Sequence, residues 1–196
     1  MVLQGGKLAG GNPENGRVEN DYYATNPKAV KSLLEQYNFK GTKFLEPCVG
    51  EGHIAEVIKK YISNVTFKCI DLIDRGYPGT EVADFLNYTS DEKYDAVITN
   101  PPYSLAMEFV EKSIDMLNDN GQMAFFLKIQ FLEGFKRKSL FEKYPPKYIY
   151  VFRNRMATWN NGNEFDDTGK RWSTTMCHAW FIWEKGSTSE PIVRWL

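Results

Sequence analysis

The sequence predicts an α/β fold: a mainly parallel sheet covered by helices on both faces. Apolar, strand-forming runs alternate with segments whose apolar residues recur at helical spacing, the signature of a sheet built from crossover connections. The unusual residues, namely glycines, acidic side chains and paired prolines, fall directly after the carboxyl ends of those runs, where open α/β sheets bind ligands. The 196 residues contain no internal repeat and amount to one domain with room for a substantial core.

Taken in order, residues 1–20 are Gly/Asn-rich and almost free of large apolar groups, and are expected to be a flexible segment or one ordered only by a ligand. Residues 21–196 are expected to form a single domain. A helix starts at Pro27, capped by Asn26, and runs through "KAVKSLLEQY". "KFLEP" is a short strand stopped by Pro47, and "GHIAEVIKKY" is an amphipathic helix. "VTFKCID" and "DAVITN" are strands, and "LAMEFVEKSIDML" is a helix closed by Asn118-Asp119-Asn120-Gly121. "QMAFFLKI" reads as a buried strand, "FKRKSLFEKY" as a helix and "KYIYVF" as a strand. After a long loop from Arg153 to Thr175 comes the strand "CHAWFIWEK".

Composition excludes several classes. No apolar run approaches the roughly 18 residues needed to span a bilayer, and the N-terminus lacks a signal-like apolar core. Cys48, Cys69 and Cys177 have neither metal-ligand nor CxxC spacing, so they read as reduced small hydrophobes; no metal site and a cytoplasmic location are expected. A net charge of −1 gives no nucleic-acid footprint by itself. Its distribution is uneven: Asp74 to Asp119 holds ten acidic and three basic residues, whereas Glu133 to Arg155 holds seven basic and two acidic. The second block is either a set of solvated helix faces or a basic surface facing phosphates.

"EPCVGEG" (46–52) places Gly50 and Gly52 between a strand and a helix, where glycines allow positive φ and close approach to a ligand. It does not match GxGxxG, which argues against a nicotinamide dinucleotide. Asp71 ends the next strand, where a carboxylate can accept both hydroxyls of a ribose; a helix-capping role is the alternative, and Asp74 is a nearby fallback. Asp84-Phe85 offers an acceptor for an exocyclic adenine amine and a ring to stack on the base, although a capped turn over a buried Phe has the same pattern.

"NPPY" (100–103) carries the chemistry. An exocyclic amine on an aromatic ring is a poor nucleophile, because its lone pair is delocalised into the ring. Two acceptors against its two N–H bonds, the Asn100 side-chain oxygen and the Pro101 carbonyl, favour a tetrahedral nitrogen without a general base. Pro101-Pro102 fixes where the carbonyl points, and Tyr103 offers a stacking face. The Arg153–Thr175 loop mixes Arg153, Arg155 and Arg171 with Trp159, Phe165 and Trp172, a combination suited to phosphates and stacked bases, or is simply a variable surface loop. His53 and His178 are isolated and read as structural; Lys128 either faces the substrate pocket or snorkels.

"EPCVGEG", Asp71, "ADF" and "NPPY", in this order and spacing, resemble the S-adenosylmethionine-dependent amino-methyltransferases, especially the N6-adenine DNA methyltransferases, over roughly residues 20–185. "DYYATNP" (21–27) resembles the motif that precedes the cofactor loop in that family. The resemblance implies a Rossmann-like methyltransferase fold, with a mainly parallel seven-stranded sheet whose last strand is antiparallel, and S-adenosyl-L-methionine as cofactor. It further implies that Glu46, Gly50 and Gly52 line the methionine part, Asp71 holds the ribose, and Asp84 and Phe85 meet the adenine. Tyr23, Thr25 and Pro27 complete that pocket, and Asn100, Pro101, Pro102 and Tyr103 hold the target amine. Phe165 or Trp172, with Arg171 nearby, would sandwich an extruded base against Tyr103. No recognition domain fits between the motifs, which is similar to compact phage and prophage forms, so specificity is expected to be relaxed or supplied by a partner. The implied partner is a nucleic acid, DNA foremost. RNA adenine and protein glutamine are the alternative substrates, and a non-catalytic cofactor-binding subunit is the alternative class.

Overall fold

A computed structural model gives the structure of the protein and describes residues 22–196. The segment 1–20, and Asp21 with it, lies outside the described residues. In chain order the elements are β1 (Tyr23–Ala24), α1 (Pro27–Leu34), β2 (Lys43–Glu46), α2 (His53–Tyr61) and β3 (Thr66–Asp71). There follow β4 (Thr80–Val82), β5 (Tyr94–Thr99), α3 (Ala106–Met116), β6 (Leu117–Lys128) and α4 (Lys138–Lys143). The last four are β7 (Tyr148–Val151), β8 (Trp159–Asn160), β9 (His178–Glu184) and β10 (Ile192–Trp195).

The main sheet has the order β10-β7-β9-β6-β5-β2-β3-β4. Strand β9 runs antiparallel to β6 and β7, and every other pairing is parallel. The six strands read from the sequence are present as β2, β3, β5, β6, β7 and β9, with β9 antiparallel, and β4, which was not read there, brings the number to the seven the resemblance implies. An eighth, β10, adds to the β7 edge; its four residues are all exposed, so no burial pattern marked it in advance. Strands β1 and β8 form a separate two-stranded sheet.

Alternation along the buried strands sends successive side chains to opposite faces. Phe44, Ala96, Ile98, Ala124 and Phe126 pack under α1 and α2, while Leu45, Val97, Met123, Phe125 and Leu127 pack under α3 and α4. Both faces are thus covered. Helix α1 starts where Asn26 accepts the Lys28 N–H and Pro27 occupies the first turn. It ends at Leu34, three residues before the expected Tyr37, because Gln36 and Tyr37 both donate to the Leu33 carbonyl in a closing turn. The buried Trp180 indole donates to the Ala29 carbonyl at 2.9 Å, tying α1 to β9.

The stretch Asn118 to Gly121 is not a separate turn. Strand β6 already begins at Leu117 opposite Tyr94, and the register slips before Ala96 meets Gln122, with Asn120 at φ 61°. Because β3, β2, β5 and β6 are mutually parallel, Glu46, Asp71, Thr99 and Lys128 end on one edge of the sheet. That edge carries the candidate site. No helix among the described residues is long and apolar enough to cross a membrane.

Candidate active site at the carboxyl ends of the central strands

The loop from β2 into α2 is tied to the end of β3. Asp71 accepts the Gly50 N–H through one carboxylate oxygen at 2.8 Å and the Ile73 N–H through the other at 3.1 Å. Gly50 and Gly52 both have positive φ (54° and 83°). A Cβ on Gly50 would lie 2.3 Å from the Tyr22 hydroxyl, and one on Gly52 would lie 2.1 Å from the Tyr77 ring. Only glycine fits at either place. The Tyr22 hydroxyl accepts the Glu51 N–H at 3.1 Å and sits 3.3 Å from His53 Nδ1, and the Arg75 guanidinium lies 4.5 Å over its ring. Burial pushes its hydroxyl pKa up to about 12, so it stays a neutral hydrogen-bonding group. Sequence reasoning chose Tyr23 and passed over Tyr22; nothing in "DYYATNP" tells which of two adjacent tyrosines turns towards the loop.

Glu46 ends β2 and is only 1% exposed, and its Oε2 has no hydrogen-bond partner. Burial holds its carboxyl well above the usual range, the Asp71 charge adds to this, and the Ala55 N–H opposes it. The Thr25 hydroxyl, next to the β1–β8 pair, is also buried without a partner. Buried polar groups are normally satisfied, so two orphans within two of the singled-out motifs point to a polar ligand at this edge. Burial raises the thiol pKa of Cys48 and of Cys69, the latter to about 12, which removes both as thiolate nucleophiles.

Asn100 follows β5 directly. Its Nδ2 donates to the Tyr23 carbonyl at 2.9 Å, which orients the amide so that Oδ1 remains an acceptor. Tyr23 contributes its carbonyl to this contact, and its side chain is about half exposed. Thr25 and Pro27 continue from it into α1. Pro102, at φ −56° and ψ 118°, leads into the single 3-10 turn Tyr103–Leu105 that opens α3.

Tyr103 opens that turn: the Lys128 ammonium lies 5.0 Å from its ring centroid, a cation–π contact, and the ring sits 6.1 Å from that of His178. The Tyr103 hydroxyl is buried with no partner, and burial alone raises its pKa. Lys128 thus sits beside the Asn-Pro-Pro-Tyr segment. With Tyr103, Leu127, Gln130, Phe131 and Arg137 it lines a cavity of roughly 90 Å³.

Asp84 and Phe85 follow β4 in a tight turn. The carboxylate of Asp84 accepts the Leu86 N–H at 3.0 Å and the Asn87 side-chain amide at 2.6 Å, capping its own turn. Phe85 is 2% exposed and packs 5.1 Å from Phe109 in the core. The pair forms a capped turn over a buried ring.

The long loop from Arg153 to Thr175 folds back on the glycine loop. Tyr23 pairs with Asn160 and Ala24 with Trp159, the Trp159 ring meets that of His53 edge-on at 5.5 Å, and Asn161 donates to the Tyr22 carbonyl. Farther along, Asp166 closes a turn by accepting the N–H groups of Thr168 and Lys170. Phe165 and Arg171 face each other across it at 5.5 Å, with Arg171 also 3.3 Å from Glu164. Trp172 is half-buried, and its indole N–H is buried without a partner. Phe165 with Arg171 is accordingly an exposed pair, and Trp172 a partly buried ring.

His178 is held in place by the fold. Its Nδ1 donates to the Met156 carbonyl at 2.9 Å, its ring stacks 4.9 Å from Phe126, and burial lowers its pKa to about 4. Because the folded pKa lies below the ordinary 6.5, the unfolded chain binds the extra proton between those values. Stability contributed by the neutral ring is complete above about pH 6.5 and is lost as pH falls towards 4. The stability advantage of wild type over His178→Gln, followed as urea midpoints at several pH values, is expected to shrink across that window. A constant difference would mean that the ring titrates normally.

No protein-family model matches the chain. Among solved structures it superposes on the methyltransferase subunit of a type I restriction-modification system from Streptococcus thermophilus with a TM-score of 0.65, at 17% identity, over 90% of this chain and 48% of that one. A putative class I S-adenosylmethionine-dependent methyltransferase from Listeria monocytogenes gives 0.60 at 16% identity, over 88% of this chain and 64% of that one. The fold is that of the Rossmann-like methyltransferases. In sequence, the chain is 27% identical over 137 residues to the Type II methyltransferase M.CvrRI of Paramecium bursaria Chlorella virus XZ-6E, covering 55% of this chain. The match spans 36% of that viral protein's length.

Proposed function

We propose that this chain transfers a methyl group from S-adenosylmethionine to the N6 amine of adenine in DNA. The observation that carries this reading is Asn100: its amide is oriented by the Tyr23 carbonyl, and its free oxygen stands beside a rigid Pro-Pro unit at the end of β5. The chemistry of the residues fits the cofactor. The unpartnered Oε2 of Glu46 suits the ammonium of the methionine part, beside a glycine loop too crowded for any other side chain. Asp71 accepts one backbone N–H on each oxygen, and a carboxylate has about four lone-pair sites, so two remain for a ribose diol.

When bound, S-adenosylmethionine supplies an electrophilic methyl on a sulfonium. The chain's part is to present the amine. Asn100 Oδ1 and the Pro101 carbonyl accept its two N–H bonds, draw the nitrogen towards tetrahedral geometry and localise its lone pair. No covalent enzyme intermediate is needed, and the amine proton leaves to solvent after transfer.

DNA is favoured over RNA or protein by the basic segment from Glu133 to Arg155, and the similarity to a Type II methyltransferase and to a restriction-modification methyltransferase subunit supports the same choice. Labelled cofactor incubated with separate pools of double-stranded DNA, single-stranded DNA, structured RNA and protein tests the reading. Label is expected in DNA; label confined to RNA or to glutamine side chains overturns it.

A further inference from the structure

The basic segment between β6 and α4 carries an aromatic ring with no burial to explain it. Phe135 is 93% exposed, the highest value of any large apolar side chain among the described residues. Yet it does not sit on a loose tip. Gly134 holds φ +109°, and the Arg137 N–H donates to the Gly134 carbonyl at 3.0 Å. The Arg137 guanidinium donates to the Glu133 carbonyl and lies 4.9 Å over Phe131, a buried core ring. The turn is pinned to the core, and Phe135 projects from a fixed base.

The position of that base matters. Phe131 and Arg137 line the same cavity as Tyr103 and Lys128, so the turn flanks the Asn-Pro-Pro-Tyr segment. Lys136 and Lys138 are exposed on either side of Arg137, the latter 3.6 Å from Glu142. Leu132 and Leu105 add two further exposed apolar side chains, Leu105 from the turn that opens α3. A rigid aromatic knob flanked by cations, beside a site that takes a base, has the chemistry of a stack-inserting side chain.

We propose that Phe135 is a wedge that enters duplex DNA. As the target nucleotide leaves the helix for Asn100, the phenyl ring fills the space left in the base stack, and Lys136 and Lys138 lie against the flanking phosphates. The ring replaces part of the stacking lost on extrusion and leaves water as it does so. The inference rests on the reading of the chain as a DNA methyltransferase.

The test compares Phe135→Ala and Phe135→Trp on three substrates: a paired duplex, the same duplex with the target adenine unpaired, and the single strand. Phe135→Ala is expected to lose roughly ten- to hundredfold in kcat/KM on the paired duplex, the worth of one base–aromatic stack, and to stay within about twofold of wild type on the single strand. The unpaired adenine should restore much of the loss, and Phe135→Trp should keep activity on all three. Thermal midpoints should match wild type, because the exposed ring makes little contact with the fold. An Ala variant as active as wild type on the paired duplex, or equally impaired on the single strand, overturns the wedge. Wild type inactive on every DNA substrate overturns instead the methyltransferase reading beneath it.

Discussion

Asn100→Ala is expected to lower methyl transfer by roughly 10²–10³-fold, the usual cost of removing one preorganised polar contact from a developing charge. The fold should survive. Asn100 lies after the end of β5 and is only partly buried, and its one hydrogen bond, to the Tyr23 carbonyl, contributes about 1 kcal/mol net. Two measurements separate chemistry from structure: the single-turnover rate, which should collapse, and the cofactor-induced rise in Tm, which should stay close to wild type. Loss of that rise would place Asn100 in the cofactor pocket or the scaffold rather than against the amine.

Asp71→Ala is expected to act at the other end of the site. Asp71 holds the glycine loop through Gly50 and its own turn through Ile73, and hydrogen bonds to a charged group contribute about 1.5–3 kcal/mol each. Removing it loosens the loop and takes away the proposed ribose acceptor together. Cofactor affinity should fall by about 100-fold or more, equivalent to roughly 2.7 kcal/mol. Calorimetric titration reads this directly. Unchanged affinity would move the ribose role to Asp74, whose carboxylate accepts the Gly76 N–H, or elsewhere.

These two positions show what was legible in the sequence. Strands β2, β3, β5, β6, β7 and β9 advertise themselves through apolar runs, because the sheet is covered on both faces and most of their side chains have nowhere polar to point. Strand β10 was silent because all its residues are exposed, and β1 and β8 because two residues carry no periodicity. Asn100 and Asp71 stand out in the sequence because each stands directly at the end of a strand, a position the apolar runs mark. For Asp84 and Phe85 the sequence is ambiguous, since a turn that caps itself over a core ring has the same local pattern as a ligand contact. Tyr22, Lys128 and Phe135 depend on which way one side chain turns or on what lies across from it. That information resides in the packing.

The most direct test of the account is the identity of the methylated atom. Duplex DNA incubated with a cofactor carrying a deuterated methyl group is digested to nucleosides and resolved by mass spectrometry. The account predicts the label on the N6 amine of adenine, in wild type and not in Asn100→Ala. Label on a ring carbon or on a hydroxyl would contradict it, because neither offers the two N–H bonds that Asn100 and Pro101 are placed to accept.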